Sequence, residues 1–288
     1  MSLQTDTNTV RREARNAATS PAVTGLARLG YAVKGVVYVV IGFLAILLAT
    51  GHGGKVTDQN GALKAIYGSP LGEGFGRVLM VIITVGLFGF ALWSLIQAIF
   101  NTEGEKRNAK GIAARVGYAF VGISYGLLGF VAYQITVTGS PDASSRNSTS
   151  TAQNWTALLL KQPAGVLFVI LLGIIVLCVA AYLANRAYRA SFMRHLRVGA
   201  MQPRVRQMVT RVGRFGNAAL SVVFAIVGIF LIVAAVKHNP KDARGLDGAL
   251  MELLKQPFGP WLLGLVALGL IAYGVYSFVE ARYRNVGR

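Results

Sequence analysis

Acidic residues are scarce in this chain. Its 288 residues hold 11 Asp and Glu against 29 Lys and Arg, for a net charge of +18, and only 14% are charged. A soluble domain carries about 25% charged residues, so a water-facing surface of ordinary size cannot be built from this composition. Cysteine is nearly absent. Cys178 stands alone inside an apolar run, which rules out an internal disulfide and a paired thiolate site. A thiol so placed behaves as a small hydrophobe. There is no G-x-S-x-G, no H-E-x-x-H, no Walker or Rossmann glycine pattern, and no carboxylate pair inside an apolar segment. With so few catalytic groups, the chain does not read as an enzyme and calls for no cofactor. The first twenty residues are polar, without the apolar core of a signal peptide. The first spanning helix is then expected to direct insertion. The positive charge comes with no recognition motif and lies between apolar segments, which argues against nucleic acid as a partner.

The chain is rich in apolar residues, 54% by count. Six apolar segments lie near 29–50, 78–100, 116–138, 163–184, 215–236 and 260–280. Each is about long enough to cross a ~30 Å hydrocarbon core as a helix. A helix is required because the backbone must satisfy its own hydrogen bonds in lipid. The fold class is all-α integral membrane.

The segments belong to repeats. RLGYAVKGVVYVVIG at Arg28–Gly42 recurs as RVGYAFVGISYGLLG at Arg115–Gly129, and more loosely as RFGNAALSVVFAIVG at Arg214–Gly228. Self-similarity of this kind sets the architecture before any single residue does. The second halves also match. Gly61-Ala-Leu, Asn154-Trp-Thr-Ala-Leu and Gly248-Ala-Leu precede Pro70-Leu-Gly72, Pro163-Ala-Gly165 and Pro257-Phe-Gly259. The boundaries follow: a tail over 1–21, repeats over 22–103, 104–190 and 211–288, and a basic linker over 191–210. Two helices per repeat keep all copies in one orientation. Parallel repeats of that kind are related by an axis along the membrane normal. The expectation is six transmembrane helices around a pseudo-threefold axis.

Lys and Arg set the orientation. Nineteen flank the side that carries both chain ends, and nine lie in the other three loops, offset there by six acids. The positive-inside rule puts both termini in the cytoplasm. On the outer side, Ala62, Leu63, Ile66 and Tyr67, then Trp155, Leu158 and Leu159, then Leu250, Leu253 and Leu254, predict short interfacial helices. On the inner side, Val205, Met208, Val209 and Val212 form an apolar stripe opened by Pro203, with Arg204, Arg206 and Arg211 off it. This reads either as an amphipathic helix on an anionic leaflet or as a plain basic linker. Anionic lipids are the expected partners of these loops.

Glycines recur at matched repeat positions: Gly30, Gly117 and Gly216; Gly35 and Gly122, with Ser221 in the third copy; and Gly42, Gly129 and Gly228. Small residues let membrane helices approach closely, so these positions are assigned to helix packing.

Two ionisable residues lie within apolar segments, Lys34 in the first and Glu280 at the end of the sixth; Gln97 holds the Glu280 position in repeat one. In one reading Lys34 and Glu280 form an intramembrane ion pair that joins the sixth helix to the first. In the other, Lys34 snorkels to the headgroups and Glu280 stays at the interface with Arg282 and Arg284. The second draws support from depth, since both lie within about two turns of the boundary.

His52 and His238 occupy equivalent repeat positions at the outer face, with Asp58, Asp242 and Asp247 nearby in sequence. A metal or haem site there needs converging ligands. The simpler reading is two histidines ending helices, where a partial negative charge favours them. No metal site is assigned.

The R-x-G-Y starts at Arg28 and Arg115, the Gly-Ala-Leu and Pro-x-Gly turns, and the closing Phe278-Val-Glu-Ala-Arg-Tyr-Arg284 carry a further likeness. On these residues the chain resembles a bacterial membrane family, domain of unknown function 1206. The resemblance covers nearly everything from 22 to 286 and implies a three-repeat, six-helix membrane protein. It implies no activity. Asn217 for tyrosine and Ser221 for glycine mark the third copy's departure.

The functional expectation is a non-enzymatic membrane module that packs with itself or a membrane partner. The alternative is a small channel or carrier along the pseudo-threefold axis, lined by Tyr31, Tyr38, Tyr118 and Tyr125. A transporter places polar groups near the midplane, and here they cluster at the two faces, which favours the module.

Overall fold

Each apolar segment forms a helix because lipid offers no hydrogen-bond partner to a bare backbone. The computed structural model describes residues 21–68, 73–100, 108–140 and 148–284. The expected polar tail over 1–20, the Pro70-Leu-Gly72 turn, and Lys106 and Arg107 lie outside these residues. Six helices are long and apolar enough to cross a membrane: α1 (Pro21–Ala49), α3 (Glu73–Phe100), α4 (Ala109–Thr138), α6 (Gly165–Arg189), α7 (Pro203–Val236) and α9 (Gly259–Tyr283). Three short helices join the spans of each repeat at one face: α2 (Gln59–Tyr67), α5 (Ser148–Leu160) and α8 (Leu246–Lys255). That end is called the cap face, and the opposite end the basic face. Among the described residues there is no strand, only a single bridge between Leu196 and Arg284.

The short helices do more than lie at an interface. α2 buries Ala62, Leu63 and Ile66, and α8 buries Leu246, Ala249 and Leu250. The apolar face of each thus sits on the bundle. α5 is seated differently. It buries only Thr156 and leaves Trp155 and Leu158 exposed.

The strongest helix packing runs between neighbouring repeats: α9 on α1, α3 on α4, and α6 on α7. The three interfaces use equivalent positions. A Cβ on Gly35 would stand 2.9 Å from the Gly274 carbonyl oxygen, and one on Gly122 would stand 3.0 Å from that of Ala91. In the third copy Ser221 replaces glycine, and its Oγ donates to the Ala180 carbonyl at 2.8 Å. Ala91 and Ala180 lie 183 and 94 residues before Gly274, the spacing of the copies. Two turns along, Gly42, Gly129 and Gly228 face Ile271, Phe88 and Leu177, which obey the same spacing. The lost side chain brings backbone against backbone at Gly35, Gly42, Gly122 and Gly228, and lets the Phe88 ring pack on Gly129; such close approach is a main source of attraction between helices in lipid.

Within repeats the packing is uneven. Gly30 seats against Phe90 and the Gly86 carbonyl, and Gly216 seats against the Tyr273 backbone. Their counterpart Gly117 has no heavy atom within 4 Å of where its Cβ would be. The assignment of Gly117 to helix packing is therefore corrected. In the middle copy Val179 stands where the others have Phe90 and Tyr273. It carries no ring to interlock with a facing helix, and α4 and α6 share no extended packing. The hairpin of the middle repeat is splayed.

The basic linker also differs from expectation. Residues Ser191–His195 and Val198–Ala200 form 3₁₀ turns, and Pro203 then opens α7, one continuous helix of 34 residues. That is about 51 Å long at 1.5 Å per residue, well beyond the hydrocarbon core. Val209 is buried, and Val205 and Val212 pack against the core beside it, while Met208 is 63% exposed. The stripe thus covers the bundle instead of lying in a leaflet. Phe192 explains the geometry. It is fully buried, edge-on to Tyr276 at 5.0 Å, and the Arg197 N–H bonds the Tyr283 carbonyl at 2.8 Å. The linker is pinned beneath α9, and α7 rises straight from it.

The glycine geometry predicts a contrast. Gly228→Leu overpacks the α6–α7 interface and lowers stability by about 1–3 kcal/mol. Gly117→Leu points into open space and changes it by less than about 0.5 kcal/mol. Thermal unfolding of both variants in detergent checks this, and equal losses would refute it.

Candidate functional site: a charge cluster at the basic face

α1 places Tyr31, Lys34, Tyr38 and Ile41 on one stripe by their 3-4-3 spacing, and that stripe is buried. Lys34 is 6% exposed. Its Nζ lies 3.2 Å from Glu280 Oε2 and 3.4 Å from the Tyr273 hydroxyl. The rings of Tyr31, Phe90 and Tyr273 surround the ammonium with centroids at 5.2, 5.5 and 5.0 Å. Ring faces attract a cation and substitute for part of the lost water.

Glu280, 2% exposed, is the centre of the cluster. Its Oε1 accepts from Arg284 Nη1 at 2.7 Å and from the Tyr276 hydroxyl at 3.2 Å. Arg186 Nη2 lies 3.8 Å from the same oxygen. The Arg284 guanidinium also stacks over the Tyr31 ring at 4.9 Å. One carboxylate thus faces three cations, from α1, from α6 and from the residue that follows α9. Buried charges of this kind persist only when paired and hydrogen-bonded.

This geometry replaces the reading in which Lys34 snorkels and Glu280 sits with Arg282 and Arg284, of which only the contact with Arg284 is present. The α1–α9 interface and its rings enclose the Lys34 ammonium. Arg282 is exposed and lies over the Tyr283 ring instead. Sequence reasoning missed Arg186, Tyr273 and Tyr276. The signal for Arg186 was available: Pro163 and Pro257 are 94 residues apart, and 94 residues before Glu280 is Arg186. Gln97, Arg186 and Glu280 are one position in three copies: neutral, basic and acidic. Of the tyrosines proposed as a lining, Tyr31 and Tyr38 are buried in helix contacts, with Tyr38 edge-on to Tyr273 at 4.9 Å. Tyr125 is edge-on to Phe90 at 4.7 Å, and Tyr118 is half-buried.

The two histidines lie at the cap face, just past the ends of α1 and α7, and both are exposed. His52 Nδ1 is 3.1 Å from Thr50 Oγ1, and His238 Nδ1 is 3.3 Å from the Val236 carbonyl. Among the described residues no group of three or more His, Cys, Asp and Glu is placed to hold a metal.

A second polar network ties the cap face together. Asp58 is the N-cap of α2, accepting from the Gly61 N–H at 2.9 Å, and it also accepts from the Ser148 N–H at the start of α5. Asp247 Oδ1 accepts from Ser148 Oγ, the Thr149 N–H and Thr149 Oγ1 at 2.7, 2.9 and 2.7 Å. Thr149 Oγ1 accepts in turn from the Gly245 and Gly248 N–H groups. The N-termini of all three short helices converge here. Each offers unsatisfied N–H donors, which the two carboxylates and two hydroxyls take up. Burial pushes the Asp58 carboxyl above the usual carboxylate range. The Gly61 and Ser148 N–H bonds oppose that push, and the nearby Asp247 charge adds to it.

Two predictions follow from these networks. Glu280→Gln leaves Lys34, Arg186 and Arg284 facing one another, and costs about 3–5 kcal/mol. Lys34→Met removes one cation of three and costs less. The swap of Lys34→Glu with Glu280→Lys recovers part of what either reversal loses, as read by thermal unfolding in detergent. A double variant no more stable than the singles would remove the pair. At the cap face, the folded state takes up a proton on Asp58 at a pH where the unfolded chain has not. Its stability relative to Asp58→Asn therefore grows as pH falls from neutrality through the raised value, and levels off below the ordinary value of 3.8. A wild-type advantage that shrinks on acidification contradicts this.

The comparisons with known proteins agree with the repeat architecture. A family described as Domain of Unknown Function (DUF1206) matches three times, at residues 29–101, 116–190 and 215–284. The chain is 33% identical over 268 residues to "Uncharacterized protein YxxB" of Bacillus subtilis (strain 168), covering 93% of this chain and 94% of that protein. No solved structure matches it. With one match on each two-span repeat, the chain belongs to the DUF1206 family and is a six-helix, multi-pass membrane protein of that family.

Proposed function

We propose that the chain is a non-enzymatic membrane module that works through its basic face, with that face and both termini on the cytoplasmic side of a bacterial cytoplasmic membrane. The observation that carries the reading is the use made of the buried ions. Lys34, Arg186 and Glu280 all belong to one cluster at one end of the spans, together with Arg284. Lys34 and Glu280 join α1 to α9 at that end, where a carrier would set such ions at the midplane. The orientation rests on the excess of Lys and Arg at the basic face.

The working surface suits an anionic partner. A cavity of about 500 Å³ opens there, lined by Arg206, Arg211 and Arg214 with Gln207 and Thr210. Among the described residues no carboxylate lines it. Its partners are anionic headgroups, or an acidic segment of a membrane protein or of a second copy, with nucleic acid excluded.

A second reading, a carrier, draws on the splayed α4–α6 hairpin, which leaves a side entrance toward Arg186. Liposome flux separates the two. The module gives no solute or ion flux above empty vesicles. Photo-crosslinkers at positions 206 and 211 then capture a partner in cells that one at 120 does not. Saturable flux lost in Lys34→Met would establish the carrier instead.

A further inference from the structure

We propose that the groove between α4 and α6 is a binding site for one anionic glycerophospholipid, its phosphate held by Arg186 and its acyl chain lying along Gly117. The inference goes beyond the module reading, and it holds equally for a carrier.

The groove is a vacancy in a repeated pattern. In the first and third repeats the two spans of the hairpin close on each other, Gly30 against Phe90 and Gly216 against Tyr273. In the middle repeat the same slot is open at Gly117. The counterparts of Tyr182 in the other copies are Trp93 and Tyr276, each 1% exposed; Tyr182 is 55% exposed. The wall left bare is apolar along the spans, so what fills it is a hydrocarbon chain.

At the basic end of that wall stands Arg186, one turn before the end of α6. This is about 4.5 Å along the helix from Arg189, near the end of the span. Its side chain is 17% exposed and more open than those of Lys34, Glu280 and Arg284. Its ionic neighbour Glu280 is 3.8 Å away, beyond hydrogen-bond distance. Among the described residues, the guanidinium makes no hydrogen bond to the protein. Five donors in a low-dielectric setting call for an acceptor, and a phosphate fits the planar fork in bidentate fashion. Charge decides the class of lipid. Among the described residues three cations face one carboxylate, so the cluster has two positive charges in excess there. A zwitterionic headgroup brings its own cation and neutralises none of that excess.

The test is native mass spectrometry of the full chain in detergent, titrated with phosphatidylglycerol and phosphatidylcholine. One phosphatidylglycerol is retained with a preference of about tenfold, the size of a bidentate charge-assisted pair. Arg186→Gln abolishes the preference. Arg186→Lys, which keeps the charge facing Glu280 but loses the fork, retains part of it. Gly117→Trp, which fills the groove, lowers retention of both lipids, and Lys255→Gln at the cap face leaves retention unchanged. Thermal unfolding in detergent confirms that each variant is folded. Equal retention of the two lipids, displacement of phosphatidylglycerol by millimolar inorganic phosphate, or a lipid-free dimer would each overturn the proposal. They would mean a nonspecific surface, a free-anion site and a second copy in the groove, respectively.

Discussion

Nothing pulls two apolar helices together in a bilayer simply because they are apolar, since lipid tails solvate them as well as they solvate each other. Attraction must come from close backbone approach, and this fold obtains it at the same place three times. Gly35 on Gly274, Gly122 on Ala91, and Ser221 on Ala180 are one contact in three copies. The third version trades a little closeness for a hydrogen bond, which compensates in a medium with no competing water. The repeats are joined to one another more firmly than the spans within a repeat are joined. The hairpin is the unit of sequence, and the junction between hairpins is the unit of stability.

The ion cluster depends on that junction. Lys34 and Glu280 are 246 residues apart in the chain, and only the packing of α9 on α1 brings them together. Of three equivalent junctions, this one alone holds a buried ion pair among the described residues. The position shared by Gln97, Arg186 and Glu280 is neutral, basic and acidic in turn, so the copies cannot exchange places without stranding a charge in lipid. Aromatic rings from α1, α3 and α9 complete the surroundings. A duplicated scaffold thus acquires one unique interface through a few polar substitutions.

At the other end, Ser148 and Thr149 of the middle copy sit between Asp58 and Asp247 of its neighbours. The middle repeat is therefore held firmly at the start of α5 and loosely along its spans. Val179 in place of an aromatic is a small change, but it removes the interlocking that closes the other two hairpins.

Much of this was legible in the sequence. Six spans, three copies, and the glycine positions follow from hydropathy and periodicity, because burial in lipid and helix geometry act on consecutive residues. Repeat spacing even pointed to Arg186, had it been counted back from Glu280. Other features belonged to tertiary structure alone. Local pattern could not choose between a snorkelling Lys34 and a paired one, since that choice turns on which helix lies opposite. The stripe at Val205, Val209 and Val212 read either as a leaflet-bound helix or as a plain linker, because an apolar face looks the same whether lipid or protein covers it. Gly117 read as a packing glycine for the same reason. A glycine states that a helix can come close, and only the neighbouring chain decides whether one does.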